Sequence, residues 1–90
     1  MAQRETDWRD TIGPVLQAGQ QRGMRATELA LLTRERLGPS FGSVSFMWAF
    51  RQAFGVPLPT LIQAELWQGF HPGPDAVSDE EFEQLLAPWI

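Results

Sequence analysis

Seven of the ten aromatic residues in this chain fall inside positions 41–70: Phe41, Phe46, Trp48, Phe50, Phe54, Trp67 and Phe70. A packed aromatic ring supplies more apolar area than any other side chain, so the core of any fold this chain adopts must be built around that stretch. Ninety residues allow one domain, and a domain this small buries a limited share of its surface. The chain has no cysteine, so neither a disulfide nor a thiolate metal site can supplement the aromatic core.

The aromatics are spaced for helices. Phe46, Phe50 and Phe54 recur every four residues and are flanked by Met47, Ala49 and Ala53. That pattern predicts a central helix over 44–54, ending before Gly55. Trp48 falls on its other side, beside Val44, Arg51 and Gln52. Upstream, Trp8, Ile12, Val15 and Leu16 form an apolar stripe that predicts a helix over 7–21. Asp7 would be its N-cap, and the helix would kink at Pro14 because the stripe keeps its phase across the proline. A second helix is predicted over 26–37, with Leu29, Ala30, Leu32, Thr33 and Leu37 on one face and Arg36 in the middle of it. Gly38-Pro39 stops it.

Downstream, Val56-Pro57-Leu58-Pro59 is extended, and Pro59 opens a helix over 59–68. Leu58, Ile62 and Leu66 are read as its buried stripe, which puts Trp67 on the far side with Gln63 and Ala64. Ser78-Asp79-Glu80-Glu81 is a capping box opening a last helix over 79–87. Phe82, Leu85 and Leu86 share one face of it, with Trp89 and Ile90 docked behind. No strand alternation, repeat or low-complexity tract is visible. The expected fold is an all-α single domain of four or five short helices, with Phe46, Phe50, Phe54, Ile62 and Leu66 in its core.

Composition narrows the chemistry. All seven cations are Arg, with no Lys, Tyr or Asn and a single histidine. Schiff-base lysine and tyrosine acid chemistry are therefore closed to this chain. A Ser-His-Asp set would have to use His71, Asp75 and Ser78 from one short loop, without a glycine-rich elbow or an oxyanion-binding helix beside them. The acids Asp79, Glu80, Glu81 and Glu83 lack the alternating ligands and central glycine of a calcium loop, and a capped, solvated helix start accounts for them. No phosphate-cradling glycine loop is present. The expectation is a chain that is not an enzyme, with no catalytic residue, no metal and no cofactor.

The net charge of −4 is unevenly laid out. Positions 22–51 carry Arg22, Arg25, Arg34, Arg36 and Arg51 against Glu28 and Glu35. Positions 65–90 carry Glu65, Asp75, Asp79, Glu80, Glu81 and Glu83 with no Arg or Lys. Such a layout attracts its own halves to each other, or a basic partner.

Two functions follow as expectations. The first is a small protein–protein interaction module of the adaptor, regulatory or toxin-neutralising (immunity-type) kind. Trp48, Arg51 and Trp67 would be its contact residues, because Trp and Arg dominate binding hot spots. Its partner would be another protein, basic in character, or a second copy. The alternative is a nucleic-acid-binding regulator. Ala26-Thr27-Glu28-Leu29-Ala30 resembles the start of the first helix in many helix-turn-helix domains, with Arg22, Arg25, Arg34 and Arg36 around it. Against the alternative, the link to the next helix is long for a tight turn, and that helix carries Phe46, Met47, Trp48 and Phe50 where base-reading residues belong. The overall charge also has the wrong sign for phosphate. The charged start, Met1 to Asp7, has no apolar run behind it, and no run approaches the length of a bilayer span. The expected setting is the cytoplasm, and the all-arginine cation usage is that of a GC-rich bacterial genome.

Overall fold

A computed structural model describes residues 8–90. Among them the chain forms five α-helices: α1 (Trp8–Gln21), α2 (Ala26–Leu37), α3 (Ser43–Phe54), α4 (Leu58–Ala64) and α5 (Asp79–Leu86), with a 3₁₀ turn, Gly38–Ser40, after α2. The fold is all-α, and no described helix is long and apolar enough to cross a membrane. α1 packs on α2 and α3, α2 on α5, and α4 lies against both α3 and α5.

The first three helices and the last one follow the expected spacing. Ile12 and Leu16 of α1 are buried, and the helix runs unbroken through Pro14, whose ring faces solvent. The N-cap expected at Asp7 lies outside the described residues. α1 reaches α2 at Gly19: a Cβ there would sit 2.8 Å from Met24 Sδ and 2.9 Å from Leu29 Cδ2. A larger residue at this position would have to displace those two side-chain ends. In α2, Leu29, Ala30, Thr33 and Leu37 are buried, and the Thr33 hydroxyl donates to the Leu29 carbonyl at 2.8 Å. Arg36 is not in the middle of that face; it is exposed. α3 is central, with Phe46, Ala49 and Phe50 fully buried. Phe54, expected in the core, is half-buried at the end of the helix, its ring 5.5 Å from Phe50.

The fourth helix departs most from expectation. It starts at Leu58 and ends at Ala64, not at position 68. The buried residues are Leu61 and Ala64, whereas Leu58, Ile62 and Leu66 are 47%, 52% and 49% exposed. After Ala64 the backbone tightens: the Leu66 N–H donates to Gln63 and the Trp67 N–H to Ala64, both three residues back. It then pairs with the segment before α5 in a short parallel bridge, with Gln68 N–H on the Val77 carbonyl (2.8 Å) and Val77 N–H on that of Leu66 (2.9 Å). A 3₁₀ turn advances about 120° per residue rather than 100°. Leu61, Ala64 and Trp67, three apart, therefore line up on the inside. Ile62 and Leu66 are corrected from core to surface, and Trp67, offered as a contact residue with its burial open, lies in the core.

Trp67 (3% exposed) stacks on Phe82 at 4.7 Å and meets the edge of Phe70 at 5.0 Å. Phe46 links this group to α3, 4.9 Å from Phe70 and 4.8 Å from Phe50. The core is thus one connected aromatic network drawn from α3, the turn after α4, and α5. A full indole buries far more apolar area than an aliphatic side chain, and this outweighs the regular helical stripe.

Candidate protein-interaction surface

The row of Leu58, Ile62 and Leu66 is the most exposed set of large aliphatic side chains that recurs at helical spacing. It exists because α4 is short and its inner face is already taken by Leu61 and Ala64. On a helical wheel the row centres about 130° away from those two, so it points at solvent. α4 itself, Leu-Pro-Thr-Leu-Ile-Gln-Ala, carries no charge. The row is held rigidly from behind. Trp67 anchors the end of the element, and its indole N–H donates to Asp79 Oδ1 at 2.7 Å, an oxygen that also accepts from the Gln68 amide at 3.1 Å. These two hydrogen bonds, Gln68 first and then Trp67, hold the Asp79 carboxyl below the usual carboxylate range.

Beside the end of α4, Glu65 accepts a hydrogen bond from the Ser43 hydroxyl at the start of α3, and His71 Nε2 lies 3.8 Å from it. These side chains, with Arg34, rim a cleft of about 220 Å³ floored by Phe41, Phe46 and Phe70. Arg34 is tied to the Gly69 carbonyl at 2.9 Å.

The residues singled out from sequence are distributed as follows. Trp48 is half-buried, its ring edge-on to Trp8 at 5.3 Å, and Arg51 is exposed one turn further along α3. These two remain at the surface, beside Val44, which is 76% exposed. Trp67 does not join them; it is core. Among the arginines, Arg22 and Arg25 sit where α1 turns into α2, and Arg25 pairs with Glu28 at 3.9 Å. Arg34 and Arg36 lie in the last turn of α2. Nine residues of helix, about 13 Å, separate Arg25 from Arg34, so the four do not form one cluster. His71 faces Glu65, while the Ser78 hydroxyl accepts the Glu81 N–H at 3.1 Å in the α5 cap. The suggested Ser-His-Asp set is therefore not assembled. No group of His, Asp and Glu among the described residues is arranged to hold a metal ion.

Glu83, one of the acids of a solvated helix start on sequence grounds, has a defined contact in the fold. Its carboxylate accepts the backbone N–H groups of Ala26 (3.0 Å) and Thr27 (2.9 Å) and the Thr27 hydroxyl (2.7 Å). It caps α2 from across the fold. Comparison of the chain with protein-family models, with curated proteins and with solved structures finds no match.

Proposed function

We propose that this chain is a non-catalytic protein–protein interaction module of the adaptor, regulatory or toxin-neutralising kind, and that the outward row of α4 is its contact surface. The observation that carries the reading is that Leu58 and Ile62 of the charge-free α4, and Leu66 in the turn after it, are each about half exposed while Leu61, Ala64 and Trp67 complete the inner side. Clustered exposed aliphatics on a rigid element mark interaction sites, whereas scattered ones do not. The cysteine-free composition suits a reducing compartment, and the cytoplasm is the setting proposed. The helix-turn-helix alternative gains no support from the layout, since its arginines divide between the two ends of α2 and α3 offers only Arg51 beside its aromatics.

The test compares the tagged protein with Ile62→Asp and with Val44→Asp as baits in the source cell. The reading expects a partner that is retained by wild type and Val44→Asp and lost by Ile62→Asp. Retention by all three baits would contradict it.

A further inference from the structure

The α4 row borders a groove between α4 and α5 of about 290 Å³, lined by Gln63, Val77, Glu81, Gln84 and Leu85. The row meets this groove at Leu66, whose N–H donates to the Gln63 carbonyl at 3.2 Å and whose carbonyl accepts the Val77 N–H at 2.9 Å. Val77 and Leu85 are half-buried and form an apolar floor. The charge around this floor has one sign. Positions 52–90 carry neither Arg nor Lys, and Asp75, Asp79, Glu80 and Glu81 are all exposed. The cations that approach this half are Arg25, which acts on Asp79 from the start of α2, and Arg34, tied to the Gly69 carbonyl. Neither lines the groove.

We infer that the occupant of this face is a basic amphipathic helix of another protein. Its apolar positions would lie along the α4 row and the Val77–Leu85 floor, and its Arg or Lys would face Glu80 and Glu81. The inference rests on the reading of the α4 row as the contact surface. A ridge beside a groove is what an amphipathic helix packs into through anchors at three- and four-residue spacing. An uncompensated acidic margin selects a cationic partner and disfavours a like-charged one. The same margin argues against a second copy, because a two-fold interface would bring two acidic faces together.

The test uses two fluorescein-labelled synthetic peptides with leucine at helical three-four spacing, one with lysine at every other position and one with glutamate. Each is titrated into wild type, Ile62→Asp and Glu80→Lys/Gln84→Lys, with circular dichroism confirming that the variants fold and light scattering giving their mass. The double variant reverses the charge beside the groove while leaving the Ser78–Glu81 cap in place. The lysine peptide is expected to bind wild type and to lose about tenfold or more in affinity in both variants. Its binding should weaken as salt rises, and the glutamate peptide should not bind. If the glutamate peptide binds equally well and Ile62→Asp abolishes it, the contact surface stands and the basic partner is overturned. A dimer dissociated by Ile62→Asp has the same meaning, with a second copy as the occupant. A monomer that binds neither peptide in an Ile62-dependent way overturns both this inference and the reading beneath it.

Discussion

Trp67 joins several parts of the fold: Phe82 on one face, Phe70 at its edge, Asp79 at its nitrogen, and Gly69 beneath. A Cβ at Gly69 would lie 2.4–2.6 Å from three indole ring carbons, and the ring is stacked against Phe82 on its other side. Gly69→Ala is therefore expected to destabilise at the upper end of the range for overpacking, about 3 kcal/mol, measured by denaturant unfolding. Asp79 gives a pH signature. Its carboxyl is held below the usual range, so the stability it contributes is present above about pH 4 and is lost as pH falls through the lowered value. Asp79→Asn keeps an oxygen acceptor but does not titrate. The gap in melting temperature between wild type and Asp79→Asn should therefore narrow between pH 6 and pH 3; a constant gap would mean that the carboxylate charge plays no part. None of this was legible in the spacing of Trp67. The wheel sets Trp67 beside Ala64, but which face of α4 turns inward is decided by the packing of Trp67 on Phe70 and Phe82, and spacing does not show that.

At the scale of elements, what was legible was local. The stripes of α1, α2 and α3, the stops at Gly38 and Gly55, and the Ser78–Glu81 capping box all follow from residues within a turn or two of each other. The centre of α3 makes the strongest claim on the core, and Phe50→Ala should cost about 3–5 kcal/mol. What was not legible was long-range. The N-terminus of α2 has no side-chain cap from its own cap residue, and it is satisfied by Glu83, 57 positions further on than Ala26. Sequence spacing alone gives no sign of such a partnership, because an acid in the first turns of α5 already has a sufficient local explanation. Removing it separates the two roles. Glu83→Ala should cost about 1–2 kcal/mol through the exposed N–H groups of Ala26 and Thr27. Glu80→Ala, at an exposed position on the same helix, should stay within about 0.5 kcal/mol.

For the whole molecule, core and surface are divided differently from the way the aromatic stretch first suggested. The all-α class and the aromatic core were readable because seven aromatics in thirty positions leave little else to build on. The proposed contact surface is not the one that Trp48 and Trp67 suggested. The tryptophan offered as a contact residue closes the core, and the aliphatics expected inside are the ones left in water. That exchange yields an acidic chain with an apolar row running from the charge-free α4 into the turn after it, and with every Arg placed at position 51 or earlier. The most direct test of this arrangement is a photo-cross-linking amino acid placed at position 62 in the source cell, compared with the same group at position 44. The account expects one discrete adduct with a basic partner from position 62, lost when Leu58 is also changed to Asp, and none from position 44. Cross-linking from position 44 alone, with position 62 silent, would contradict it.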